Sequence, residues 1–188
     1  MRNEDFVYIV LTDTGTWLSR MIGWYTSKPM NHASIAFDSG LNEVYSFGRK
    51  MPRNPLVGGF VRENMRSPLF LNDQRNTGCA IYRCEVTAGQ LKKIRLFIRN
   101  IENQEHRYKF NMLGLIGVAA KVEWNREQAY FCSQFVASAL KAGGVKLANK
   151  PASLTTPHDF ADSVHVKSVY KGTLNEYLHA VQGNIHVS

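Results

Sequence analysis

Alternating hydrophobic and polar positions in the first fifty residues predict a strand, a helix and a hairpin. Residues 6–12, FVYIVLT, are rich in β-branched and aromatic side chains and predict a buried strand. Residues 15–25 then predict a helix, because apolar side chains recur there at helical spacing. Residues 32–48 contain two alternating runs around Asp38, Ser39 and Gly40, which indicate a hairpin with Gly40 in the left-handed conformation.

The hairpin pattern also predicts which side chains share a face of the sheet. Pairing Phe37 with Leu41 places His32 directly opposite Ser46 on the polar face. The same register turns Glu43 toward the apolar face, away from His32. That apolar face is predicted to carry Ala33, Ile35, Phe37, Leu41, Tyr45 and Phe47.

Further elements are indicated from residue 79 onward. Residues 79–86 predict a strand, and a helix follows whose first turn, residues 87–90, has the sequence of a capping box. Its apolar stripe is formed by Leu91, Ile94, Ile98 and Ile101. Residues 108–121 are ambiguous, with a glycine-interrupted helix under the core as one interpretation. A helix beginning at Cys132 has an apolar stripe and ends at the stop signal Gly143–Gly144.

The last part of the chain completes a mixed set of elements. Residues 153–163 indicate a loop with a short helix, 165–170 a strand, and 173–181 a terminal helix. The expected fold class is therefore α+β, with a mostly antiparallel central sheet packed against the helix that begins at Cys132.

Composition is typical of one globular domain that keeps its thiols reduced. The chain has 188 residues, 44% of them hydrophobic, which allows a substantial core. The first residues lack the pattern of a signal peptide, and no apolar run approaches the roughly 20 residues of a membrane span. Three cysteines are an odd and sparse set for a disulfide framework, so we expect reduced thiols and a cytoplasmic location.

The formal net charge of +8 raises the question of anionic partners. The densest basic groups, at residues 48–53 and 92–99, carry no nucleic-acid motif, so a solvated basic surface is the simpler interpretation. We expect no specific nucleic-acid binding, at most weak contact with an anionic surface, and no transmembrane segment. The histidines lack ligand spacing with one another or with the cysteines, so no metal or other cofactor is expected.

The position of Cys132 at a helix N-terminus makes it a candidate nucleophile. Unpaired backbone N–H groups and the positive end of the helix dipole both favour a thiolate there. The competing interpretation is that Cys132 fills the core, since free cysteine is among the most buried residue types. His32, on the polar face of the hairpin, would supply the base that a cysteine nucleophile needs.

Several segments together resemble a known family. NHASIAF preceded by WYTSKPM, then EVYSFGRK, YFCSQFVASAL and LTTPHDFADS resemble the permuted papain-like amidases of the NlpC/p60 superfamily, the YiiX type, over about residues 6–175. The resemblance implies one permuted papain-like domain spanning residues 1–188. It also implies Cys132 as nucleophile and His32 as general base. The third family position falls on Ser46, whose hydroxyl would orient the imidazole; a main-chain carbonyl or a water is the rival.

The implied activity is that of a cysteine-dependent hydrolase cleaving an amide or ester bond through a thioacyl-enzyme intermediate. The substrate would be a small molecule, a peptide or a lipid-like acyl compound. Two alternatives remain open at this point: an acyltransferase on the same scaffold, and a ligand-binding module without turnover.

The other thiols, Cys79 and Cys84, lie five positions apart on one strand and should face opposite sides. His158, which follows the turn at residues 155–157, could line the cleft, but a surface histidine at a helix start is the simpler interpretation.

Overall fold

The structure is a computed structural model. It describes residues 5–13, 30–51, 54–72, 75–111, 114, 128–147 and 149–184. The helix predicted at residues 15–25 lies outside the described residues, as does most of the ambiguous segment at 108–121.

The described residues form a six-stranded sheet, two small sheets and helices on both faces of the large sheet. The strands are β1 (Asp5–Thr12), β2 (His32–Ala36), β3 (Val44–Met51), β4 (Asn54–Glu63), β5 (Leu71–Asn72), β6 (Arg75–Asn76), β7 (Gly78–Val86), β8 (Lys109–Phe110), β9 (Ala129–Tyr130) and β10 (Lys167–Thr173). The α-helices are α1 (Ala88–Glu102), α2 (Cys132–Ala142), α3 (Pro157–Ala161) and α4 (Leu174–Asn184). Two 3₁₀ turns occupy Glu105–Arg107 and Ala152–Leu154.

The large sheet has the order β10-β7-β1-β2-β3-β4, and its neighbouring strands run antiparallel. The α+β class and the mostly antiparallel sheet are thus confirmed. The predicted capping box is confirmed too: Gln90 N donates to Thr87 Oγ1, and Thr87 N donates to Gln90 Oε1. The last strand begins two residues later than the sequence pattern indicated, at Lys167.

Strand β4 was not predicted from the sequence. It carries Pro55 and the pair Gly58–Gly59, residues that are depleted in strands and interrupt the apolar alternation. The strand tolerates Pro55 because it lies at the edge of the large sheet.

The hairpin between β2 and β3 has a wider loop than predicted. The observed register pairs Ile35 with Tyr45. The partner of Ile35 thus lies two residues further along the chain than the expected register placed it. The Asp38 carboxylate accepts hydrogen bonds from the backbone N–H groups of Asn42 and Glu43, which closes the wider loop. The left-handed residue is Leu41, at φ 55°, rather than Gly40.

This register corrects two of the predicted side-chain positions. Leu41 packs on the opposite face of the sheet from the other predicted apolar residues. Extending the observed register places Ser46 opposite Ser34, so the expected pairing of Ser46 with His32 is wrong. A shift of two residues preserves the face on which each strand residue lies, which is why Ser46 still shares a face with His32.

The core lies on both faces of the large sheet. On one face α1 and α2 pack through the buried side chains of Ile94, Ile98, Phe135 and Ala139. On the other face α4 packs through Leu174, Tyr177 and Leu178. Within the described ranges, every helix is too short or too polar to span a bilayer.

Aromatic packing fixes α2 against the strands that precede it in the chain. The Phe135 ring lies 5.1 Å from the Phe47 ring of β3 and 5.8 Å from the Phe60 ring of β4, between centroids. Phe135 is fully buried. Because Phe135 lies one turn into the helix, these contacts hold the start of α2 beside the sheet.

Candidate active site

Cys132 is the first residue of α2 and is nearly buried, with 6% of its surface exposed. The preceding residue, Phe131, occupies the N-cap position and has no side-chain acceptor for the helix N–H groups. The backbone N–H groups of Ser133 and Ala33 both donate to the Cys132 sulfur. The sulfur thus lies where a helix start meets the start of β2.

The short pairing between β2 and β3 makes room for this contact. Ladder pairs between these strands are formed at Ile35 and Ala36, at the far end of β2. Nearer its start, Ala33 donates its N–H to the Cys132 sulfur. The opening of the hairpin toward its strand ends therefore gives the thiol a backbone donor from the sheet.

His32, the first residue of β2, lies between the thiol and a carboxylate. Its side chain is hydrogen-bonded to Cys132. Its Nε2 atom lies 2.7 Å from Oε1 of Glu63, the last residue of β4. Since Nε2 is engaged by the carboxylate, Nδ1 is the ring nitrogen left for the sulfur. The structure thus brings together Cys132 and His32, and adds Glu63 as the group that holds the imidazole.

Glu63 is itself held by two serine hydroxyls. Ser46 donates to Oε1 at 2.5 Å and Ser34 donates to Oε2 at 2.7 Å. Both serines are fully buried, and 7% of the Glu63 side chain is exposed. Ser46 therefore contacts the carboxylate that orients His32, whereas the sequence interpretation had it orient the imidazole directly.

Glu63 and Ser34 are the residues of this cluster that sequence reasoning missed. Glu63 ends a strand whose glycines and proline hide its periodicity. Ser34 follows His32 by two residues and so lies on the same face of β2, a period-two signal that could have identified it. Glu43, the carboxylate that the predicted register turned away from His32, pairs with Arg95 at 2.7 Å.

The electrostatics of the cluster favour a thiolate and an imidazolium. Burial disfavours the charged imidazole, but the Glu63 carboxylate and the hydrogen bond with Cys132 outweigh it and raise the pKa of His32 to about 10. Burial likewise opposes ionisation of Cys132, yet His32 and the two backbone N–H donors lower the pKa of its thiol. Burial of Glu63 is outweighed by the His32 charge, and the pKa of the carboxyl falls below its ordinary value.

The pKa values of the other two thiols are raised, whereas that of Cys132 is lowered. Cys79 and Cys84 are buried on opposite faces of the sheet, as their spacing predicted. Burial raises the pKa of Cys79 to about 12 and that of Cys84 to about 11. All three cysteines are free thiols, so Cys132 is distinguished from the others by its surroundings.

His158 is the remaining histidine considered from the sequence, and it is partly buried. His158 is the second residue of the short helix α3, whose N-cap Thr156 forms a capping box with Asp159. Among the residues that the structure describes, no group of three or more His, Cys, Asp and Glu side chains is arranged to hold a metal ion.

No protein-family model and no curated protein sequence matches the chain.

Removing either serine that binds Glu63 should destabilise the fold. We expect Ser46→Ala or Ser34→Ala to lower the free energy of unfolding at pH 7 by about 1–3 kcal/mol, because a buried carboxylate loses a hydrogen-bond donor. The folded pKa of Glu63 is depressed, so this difference is complete above its ordinary value of 4.5 and shrinks as pH falls through the folded value.

Denaturant titrations at pH 7 and at acid pH measure this difference. The matched control is Ser39→Ala, since Ser39 is exposed. Equal stability of Ser46→Ala and the control at pH 7 would contradict the assigned hydrogen bond.

Proposed function

We propose that the chain is a cysteine-dependent hydrolase that cleaves an amide or ester bond through a thioacyl-enzyme intermediate. The observation that carries the proposal is the continuous arrangement of Cys132, His32 and Glu63. A thiol, an imidazole and a carboxylate in hydrogen-bond contact are the parts that nucleophilic catalysis by cysteine requires. The lowered pKa of the Cys132 thiol distinguishes it from a cysteine that only fills the core.

Acylation begins with the attack of the Cys132 thiolate on the substrate carbonyl carbon. A carbon–sulfur bond forms, and the carbonyl electrons move to oxygen, where the Cys132 N–H at the helix start is one donor for the oxyanion. The His32 imidazolium then gives its proton to the departing nitrogen or oxygen as that bond breaks. The products of this step are a thioester on Cys132 and a free amine or alcohol.

Deacylation uses the imidazole that acylation left neutral. His32 accepts a proton from water while the water oxygen attacks the thioester carbonyl. The carbon–sulfur bond breaks, the acid product leaves, and the thiolate and imidazolium are restored. Glu63 stabilises the imidazolium in the resting state and fixes the ring so that one nitrogen faces the sulfur.

The proposal includes the finer features that the resemblance implies. These are a permuted papain-like domain, with the histidine strand preceding the cysteine helix in the chain, and a cytoplasmic setting in which Cys132 stays reduced. A hydroxyl as the orienter of His32 would favour the ligand-binding alternative, because it cannot stabilise an imidazolium as a carboxylate does. The contact between His32 and Glu63 removes that argument.

A panel of p-nitrophenyl esters with acyl chains of increasing length tests the proposal. We expect a burst of p-nitrophenolate and a mass increase equal to one acyl group on Cys132, both lost in Cys132→Ala. Cys84→Ala, which removes a thiol elsewhere in the core, is the matched control and should keep both signals. Repeating the reaction with an added amine separates hydrolysis from acyl transfer by the product formed.

Ester release at the same rate from wild type and Cys132→Ala, with no adduct on Cys132, would refute the hydrolase.

A further inference from the structure

A cavity lies beside the second half of α2, away from the first residue of that helix. It has a volume of about 610 Å³, which falls within the range of small-molecule sites, about 300–1,000 Å³. It lies between the second half of α2 and residues 144–147 and 149–160. Apolar side chains form much of its wall, namely those of Ala137, Leu140, Val145, Leu147, Pro151 and Phe160.

The charged side chains that line this cavity are of one sign. Among the described residues that line it, three are lysines, Lys141, Lys146 and Lys150, and none is acidic. Lys150 is paired with Asp159 at 2.6 Å, which leaves Lys141 and Lys146 as the lysines beside the cavity without a described ion pair. Both are exposed, so their aliphatic stems can cover the apolar wall while their ammonium groups reach solvent.

From this combination we propose that the cavity binds a small amphiphilic carboxylate, a molecule with an apolar chain and one anionic group. The chain would occupy the space against Val145 and Leu147, which are partly exposed. The carboxylate would lie at the mouth, near Lys141 and Lys146. A neutral alcohol would lack the electrostatic attraction, and a cationic amphiphile would be repelled by both lysines.

Calorimetric titration of the full chain with octanoate, octan-1-ol and octylammonium tests the site. Octanoate should bind saturably at one site, octan-1-ol about tenfold or more weakly, and octylammonium without measurable affinity. The double variant Lys141→Glu with Lys146→Glu should weaken octanoate binding by about tenfold or more. The matched control is Lys92→Glu with Lys93→Glu on α1, which changes the net charge equally and should leave the affinity unchanged.

Two further measurements locate the bound molecule. Octanoate should bind Cys132→Ala as tightly as wild type, and should shift the backbone amide resonances of Val145 and Leu147 rather than that of Ala33. This outcome is independent of whether the Cys132 site hydrolyses anything. Equal affinity for octanoate and octan-1-ol, binding unaffected by the lysine changes, or shifts confined to the Cys132 region would each overturn the proposal.

Discussion

Replacing His32 with alanine should slow alkylation of Cys132 by iodoacetamide at pH 6 by about 10- to 1,000-fold. A neighbouring opposite charge lowers the pKa of an acid by about 1–3 units, and each unit changes the thiolate fraction tenfold below the pKa. In the variant, burial still opposes ionisation of the thiol while the imidazolium is gone. The curve of alkylation rate against pH should therefore move to higher pH.

The backbone donors that remain beside the sulfur in the variant limit the size of this change. The N–H groups of Ala33 and Ser133 remain as donors to the sulfur, so some depression of the thiol pKa should persist in His32→Ala. The matched control is His165→Ala, since His165 is an exposed histidine. If His32→Ala and His165→Ala alkylate at the wild-type rate across the pH range, the imidazole does not act on the thiol.

Exchanging Glu63 for glutamine should reduce alkylation at pH 6 by roughly tenfold, through a change in His32. The carboxylate is the largest influence that raises the pKa of His32 to about 10, while burial lowers it. Without the carboxylate the pKa of His32 falls, the imidazolium is lost at lower pH, and the pKa of Cys132 rises. The Cys132 thiolate and the His32 imidazolium should therefore coexist over a narrower pH range, because its lower limit rises and its upper limit falls.

The pH profile separates this electrostatic role from a merely structural one. Glutamine has the size of glutamate and can still accept a hydrogen bond, so Glu63→Gln changes charge more than shape. Glu85→Gln removes an exposed carboxylate that is paired with Lys167 and serves as the matched control. A Glu63→Gln variant whose profile coincides with that of Glu85→Gln would show that Glu63 does not set the charge state of His32.

The sequence predicted the strand of His32 and the helix of Cys132 because each has a strong local signal. Period-two alternation identifies β2, and the apolar stripe that ends before Gly143 identifies α2. Their spatial contact is a property of tertiary packing, which sequence indicated only through the family resemblance. The aromatic contacts of Phe135 with Phe47 and Phe60 supply that packing.

The sequence did not predict that Glu63 orients His32, and the reason is physical. Its strand is specified by pairing with β3 rather than by its own propensity, since Pro55 and Gly58–Gly59 disfavour an extended segment in isolation. The hairpin register was wrong by two residues because Asp38 stabilises a wider loop than the glycine pattern indicates. Because the error was two residues, Ser46 was still predicted on the same face of the sheet as His32. Its partner was assigned wrongly, since Ser46 binds Glu63 rather than the imidazole.

The most direct test of the central claim is the pH dependence of Cys132 alkylation in the wild-type chain, read residue by residue by peptide mass mapping. We expect a midpoint for Cys132 below the value of about 8.5 for a free cysteine, with Cys79 and Cys84 unlabelled in the folded protein. A midpoint for Cys132 at or above that value would contradict the thiolate–imidazolium pair and with it the proposed hydrolase.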